Sequence, residues 1–248
     1  MRGDVERKKS PGIPITLTRA LSWSSRRGRK RIDVIPGMLT TTHILLLRHG
    51  QTEANASGRL QGHLPTSLNL TGMRQATLLA ARLAAYSPAV NAIITSDLER
   101  AKQTAALIAS ACGLSMTVDT AWRERGFGLL EGKPIGDKKM WEAASGDFDP
   151  PGAEPSAEVY ERVRTALMSI PQKFPDRQLI AVVTHGGPVR SILKMLADGR
   201  LETIRGHAPV EVNPVPNCSI LHLIARHYRG GIRWKIEAVN DVSHLADA

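Results

Sequence analysis

The sequence predicts an α/β fold, a three-layer sandwich in which a mostly parallel central sheet carries helices on both faces. Short continuous apolar runs recur at 43–49 (HILLLRH), 89–96 (AVNAIITS) and 179–185 (LIAVVTH), as in strands covered on both sides. Ala- and Leu-rich stretches with helical spacing lie between them. Strands alternating with helices make βαβ units, and those units build parallel sheets.

Taken in order, the first run supplies the opening strand and TGMRQATLLAARLAAY (71–86) the first long helix. The second run leads into DLERAKQTAALIASAC (97–112), again helical in spacing. Residues 133–157, rich in Gly, Pro, Asp and Ala, read as an irregular excursion above the sheet, the kind of segment that serves as a substrate lid. The third run is followed by Gly186-Gly187-Pro188 and VRSILKML, with Pro at the first helical position. Near the end, SILHLIARHYRGGIRWKIEAV (219–239) reads as two strands around RGG, a hairpin that finishes the sheet. No fixed-period repeat occurs, and one domain over 38–248 is the simplest organisation.

Composition narrows the class. With 248 residues and 42% apolar content the chain can bury a substantial core. Cys112 and Cys218 are far apart and in no CxxC or Cys/His pattern, so neither a disulfide framework nor a zinc or other metal site is expected. Two reduced thiols fit a cytoplasmic protein. No apolar run approaches the roughly 18 residues of a membrane span.

The net charge of +10 suggests a nucleic-acid partner until it is divided along the chain. Residues 1–41 hold ten Lys/Arg against Asp4, Glu6 and Asp33, so +7 belongs to this stretch. SSRRGRKR (24–31) lies in a segment without hydrophobic periodicity, the usual signature of disorder. An anion-binding arm, an organelle transit segment and an inert extension upstream of Met38 compete here. The last is preferred: residues 1–37 form a basic, disordered extension, and nucleic acid is not the expected partner.

The chemistry concentrates at strand ends. The first strand runs into Arg48-His49-Gly50, another into Thr184-His185-Gly186-Gly187. In open α/β sheets ligands bind beyond the carboxyl ends of the strands, so both imidazoles face one crevice. Arg100, just after the second strand, lies at the same edge. Two Arg and two His suit a tetrahedral dianion, because guanidinium donors match phosphate oxygens. Phosphoryl transfer follows without metal or cofactor: one neutral imidazole attacks phosphorus, and the other cations neutralise the equatorial oxygens. A carboxylic acid must then protonate the leaving alkoxide, and WRERGFGLLEG (122–132) offers both Glu124 and Glu131. His43, His63, His207, His222, His227 and His244 lack this context and read as structural or surface residues, with His63 open because it lies near the active loop. Lys102 reads as a solvated charge.

These segments together resemble the histidine phosphatase superfamily, in its phosphoglycerate mutase-like branch. LLLRHGQTEAN (45–55), GRLQGHLPTSLNLTGMRQA (58–76), TSDLERAKQTA (95–105), RERGFGLLEG, VVTHGG and NDVSHL follow the family's order over 43–245. The resemblance implies that His49 is the nucleophile that becomes phosphohistidine, with Arg48, Arg100 and His185 as the phosphate pocket. It further implies that Thr52, Asn55 and Gly186 contact phosphate, and that Gln61 and Gly62 border the substrate. It assigns the proton donor to Glu124 and leaves Glu131 a structural role. Pro65 and Gly126 depart from the family pattern, which bears on substrate preference.

The short segment between Glu124 and His185 resembles the phosphatase members rather than the glycolytic mutases, whose longer insertion helps exclude water. The expectation is therefore a metal-independent phosphomonoesterase acting on a small phosphorylated metabolite. A bisphosphate-primed phosphoglycerate mutase is the alternative enzyme, and a non-catalytic phosphate or nucleic-acid binding protein the alternative of another class. The sequence leaves monomer and homodimer open.

Overall fold

A computed structural model of the chain describes residues 41–136, 138–174, 178–204 and 214–246. The reading of residues 1–37 and of His207 lies outside these segments. Six strands form one sheet: β1 (Thr41–Arg48), β2 (Val90–Thr95), β3 (Met116–Val118), β4 (Leu179–Thr184), β5 (Ile220–Tyr228) and β6 (Gly231–Asp241). Their order is β3-β2-β4-β1-β5-β6. The pairings β3/β2, β2/β4 and β4/β1 are parallel, whereas β1/β5 and β5/β6 are antiparallel. The sheet is thus mostly parallel, with the C-terminal hairpin as its antiparallel edge.

Alternation along β1 shows why its run had to be continuously apolar. Leu45 and Leu47 pack on one face with α2 (Leu70–Ala84) and α3 (Glu99–Cys112), following the short α1 (Glu53–Ala56). Ile44 and Leu46 pack on the other, and α4 (Lys138–Ser145) precedes the two helices that cover that side, α5 (Ser156–Lys173) and α6 (Gly186–Ala197). All four side chains are fully buried, each worth roughly 1.5–3 kcal/mol relative to exposure. The two apolar clusters on opposite faces are the outer interfaces of the three-layer sandwich.

Two elements differ from the sequence reading. Residues 133–157 are not irregular throughout, since α4 occupies their middle; KKMWEAAS combines good helix formers between Gly136 and Gly146. The strand β3 left no apolar run because it is only three residues long and mostly exposed.

Connection handedness places the site. After β1 the chain turns to the α2/α3 face, and after its neighbour β4 it turns to the α5/α6 face. This divergence opens a crevice at the carboxyl ends of the two strands. A close approach then shapes the β1 end. A Cβ on Gly50 would lie 2.5 Å from the Gly72 carbonyl oxygen, and one on Gly72 would lie 2.0 Å from that of Gln51. Only two facing glycines let the N-terminus of α2, capped by Asn69 Oδ1 accepting from Gly72 N–H at 2.8 Å, press against the loop after His49.

Candidate active site

His49 is 2% exposed. Its backbone N–H donates to the Thr184 carbonyl at 3.0 Å, so β1/β4 pairing runs one residue past the strand and sets His49 beside His185. The ring centroids lie 5.0 Å apart. His49 Nδ1 is 2.7 Å from the Gly50 carbonyl oxygen, and a carbonyl only accepts, so Nδ1 carries the proton. Nε2 therefore keeps its lone pair, which accepts from Arg100 Nε–H at 3.2 Å. Burial, then the charges of Arg100 and Arg48, holds the imidazole pKa well below its usual 6.5. Near neutral pH the ring is uncharged and its Nε2 carries a lone pair, the state a nucleophilic imidazole requires.

Arg100 is 1% exposed and is fixed by donating to the carbonyls of Gly62 (2.8 Å) and Leu64 (3.2 Å) and to Thr66 Oγ1 (3.1 Å). Arg48 donates through Nη1 to the Val215 carbonyl. Its Nε and His185 Nδ1 are buried and have no partner among the described residues. His185 is fully buried, and its Nε2 lies 2.9 Å from Ser96 Oγ at the end of β2. Burial lowers both guanidinium pKa values to about 10, which leaves them cationic at neutral pH. Burial and the same two arginines keep His185 neutral, its pKa well below 6.5. Two buried cations and two buried polar atoms without partners make a cradle for an anion.

A further arginine belongs to this cradle, although sequence reasoning missed it. Arg190 is on α6, five residues after His185. A Cβ on Gly186 would lie 3.1 Å from Arg190 Nη1 and 3.7 Å from Arg48 Nε, so a residue without a side chain keeps open the space these groups share. The signal lay in VRSILKML, where Arg190 falls one turn into the helix that starts at the strand end.

The turn into α1 and the loop after it (57–69, the second loop) divide the other residues. Asn55 and Gln61 line the cavity. Thr52 does not; it is fully buried and caps α1, accepting from Asn55 N–H at 3.2 Å and donating to Gln61 Oε1 at 2.9 Å. Gly62 contributes its carbonyl to Arg100 rather than a surface to the cavity. Asn217, also absent from the sequence reading, lines the cavity and donates to the His49 carbonyl at 2.9 Å and to Asn55 Oδ1 at 3.2 Å. With Asn55 Oδ1 occupied in this way, its amide nitrogen remains as the donor toward a ligand.

Glu124 is clamped from several sides. Its Oε1 accepts from Arg125 N–H at 2.9 Å and its Oε2 from Gly187 N–H at 3.1 Å. Its backbone carbonyl accepts from His63 Nε2 at 2.9 Å and from Arg162 Nη2 at 3.2 Å. His63 is thus a brace for the segment 123–132 that carries Glu124 and Glu131, here called the acid loop. Glu131 accepts from His63 N–H (2.9 Å) and Phe127 N–H (3.0 Å) and ties the second loop to the acid loop. Gly126 lies against the His63 ring, which a Cβ there would meet at an ordinary contact distance of 3.4 Å. Arg125, 3% exposed, donates to the carbonyls of Ala143, Phe148 and Glu154 and pairs with Asp149 at 2.6 Å, joining the acid loop to the excursion.

Among the remaining histidines, His43 Nδ1 and His222 Nε2 lie 3.1 Å apart on adjacent strands, and His244 contacts Arg82. Lys102 pairs with Glu99 at 2.9 Å on the exposed side of α3. The described residues contain no cluster of three or more His, Cys, Asp or Glu placed to hold a metal.

Arg48, His49, Asn55, Gln61, Arg100, Glu124 and Gly186 all line one cavity of about 280 Å³. That lies at the small end of ligand pockets, about 300–1,000 Å³. A neutral imidazole, cationic donors and a carboxyl group in one small cavity can carry out in-line transfer of a phosphoryl group.

Known proteins share this arrangement of chain. The chain is 34% identical over 215 residues to a metal-independent phosphoserine phosphatase of Arabidopsis thaliana, covering 83% of this chain and 84% of the relative. It is equally 34% identical to a probable phosphoglycerate mutase of Yersinia enterocolitica, over 82% and 94% of the two chains. A mycobacterial glucosyl-3-phosphoglycerate phosphatase structure superposes with a TM-score of 0.65 at 26% identity, over 81% of this chain and 99% of that one. The family model for the histidine phosphatase superfamily (branch 1) matches residues 44–242, a span that carries every group of the cavity, and the chain belongs to that superfamily.

Proposed function

We propose that the protein hydrolyses small phosphomonoesters through a phosphohistidine at His49. The observation that carries this reading is the neutral His49 ring, whose Nε2 accepts from Arg100 Nε–H and which lines one cavity with Arg48, Arg100 and Glu124, the His185 ring centroid lying 5.0 Å from its own. Nε2 bonds to phosphorus as the bond from phosphorus to the ester oxygen breaks, and Glu124 gives its proton to the departing alkoxide. Positive charge developing on the ring is met by the Gly50 carbonyl at Nδ1. Water then attacks phosphorus and returns a proton to Glu124 as the N–P bond breaks, and free histidine is regenerated.

Arg48, Arg100 and His185 stabilise the equatorial oxygens in both steps, with Asn55 and Gly186 at the phosphate and Gln61 bordering the substrate. Thr52 and Gly62 act through Gln61, Asn55 and Arg100. Metal independence and a small-metabolite substrate accord with relatives that are a metal-independent phosphoserine phosphatase and a glucosyl-3-phosphoglycerate phosphatase. The mutase-named relative keeps bisphosphate-primed transfer as the second reading.

A cytoplasmic location belongs to the same proposal and is supported by two free thiols; no described helix is long and apolar enough to cross a membrane. The test is phosphate release from a panel of phosphomonoesters by the full chain, with EDTA present and His49→Ala alongside. Release by the wild type alone is the expected result. Activity that appears only after addition of a bisphosphate primer favours the mutase, and equal release by both proteins removes His49 from the chemistry.

A further inference from the structure

Arg59 lines the same cavity as His49 and Glu124, and the transfer steps above give it no role. Although exposed, it is held in place at the mouth. Its backbone N–H donates to the Ala54 carbonyl at 2.8 Å, its strand-like bridge is to Pro134, and its Nη1 donates to the Gly132 carbonyl at 2.8 Å. Among the described residues no carboxylate pairs with it. A guanidinium has five N–H donors, and a single bond to Gly132 leaves most of them turned to the cavity and solvent.

Next to it stands an apolar wall of Leu60, Phe127 and Ile135, of which Leu60 and Phe127 are each 3% exposed. The ester oxygen must sit between His49 and Glu124, so the carbon skeleton of the alcohol continues into the space bounded by this wall and by Arg59. A neutral alcohol leaves the Arg59 donors to water. A carboxylate accepts two of them at once in the geometry guanidinium favours.

We infer that Arg59 is a specificity-determining residue that binds a carboxylate on the leaving alcohol, which makes small phosphorylated hydroxy acids the preferred substrate class. The inference rests on the hydrolase reading above and adds to it the part of the substrate that does not react.

The experiment compares 3-phosphoglycerate with glycerol 3-phosphate, which carries a hydroxymethyl group in place of the carboxylate, using p-nitrophenyl phosphate as a reporter of hydrolysis itself. The full-length protein is expected to prefer the acid by at least about tenfold in kcat/KM, or roughly 1.4 kcal/mol. In Arg59→Gln that preference should collapse through KM on the acid, while kcat/KM on the two uncharged alcohols changes little; Arg59→Lys should restore part of it. Absence of preference in the wild type, or an equal fall on all three esters in Arg59→Gln, overturns the assignment while leaving the hydrolase intact. No p-nitrophenyl phosphate turnover by the wild type removes the hydrolase reading and this inference with it.

Discussion

Replacing Gly187 by Ala tests the acid's placement without touching the acid. The added Cβ would lie 1.9 Å from Glu124 Oε1 and 3.1 Å from its Cδ, where ordinary contact begins at 3.4 Å, so the oxygen must retreat by about 1.5 Å. That movement also loosens the bond from Gly187 N–H to Oε2, now 3.1 Å. Position 187 is in the first turn of α6, where Ala is favoured over Gly by roughly 0.5–1 kcal/mol, so the fold should persist with little change in Tm. A misplacement of about 1 Å costs on the order of 10²-fold, and general acid catalysis contributes roughly 10²–10⁴-fold. Single-turnover phosphorylation by an alkyl phosphate should therefore slow about 100-fold. With p-nitrophenyl phosphate, whose leaving group needs no proton, the same step should stay close to wild type. Rapid-quench measurements with Glu124→Gln alongside provide the comparison. Equal losses on both esters, or an unaffected alkyl ester, would refute the placement of Glu124 as the acid positioned by Gly187.

Three further outcomes follow from the same interactions. Because burial and two guanidinium groups hold the His49 and His185 pKa values well below 6.5, imidazole titration by NMR should find both rings neutral at pH 6.5, and the acidic limb of kcat/KM should fall on the acid side of that value; a His49 midpoint at or above 6.5 contradicts the environment of the proposed nucleophile. Depressed folded-state values for His43, His49, His185 and His222, the last at about 4, mean that the unfolded chain binds more protons below about pH 6.5. Stability is then fully present above that pH and declines as the solution is acidified through the folded-state values, so calorimetric Tm should drop steadily from pH 6.5 toward 4, and a flat Tm over that window counts against it. Finally, Arg125→Met strands three carbonyls and Asp149; a loss of about 2–4 kcal/mol in denaturant unfolding is expected, together with a lower kcat because residue 125 also carries an N–H to Glu124 in a loop that has lost its anchor. Unchanged stability would show that the excursion is held by other contacts.

Local pattern made the scaffold and the polar groups at its strand ends legible. Apolar runs bounded by polar residues marked β1, β2 and β4, because a strand covered on both faces has no choice of side chain. His and Gly at two of those strand ends marked the crevice, because ligands bind where parallel strands terminate. The resemblance then separated Glu124 from Glu131, which spacing alone left equal, and the structure shows Glu131 bonded to two backbone amides of neighbouring loops.

What the sequence could not show were relations between segments distant in the chain. The resemblance makes Thr52 a phosphate contact, but capping α1 and bonding Gln61 bury it away from the cavity. Arg190, Asn217, His63 and Arg125 acquire their roles only when α6, the β5 approach, the second loop and the excursion come together around the strand ends. The same holds for Arg59, which only the fold sets in one cavity with Glu124. Sequence by itself determined which chemistry the chain carries, because strand burial and turn formation are local demands. Tertiary structure decided which side chains support that chemistry and which face the remainder of a substrate, because hydrogen bonds and cavity walls are made between residues that the chain keeps far apart.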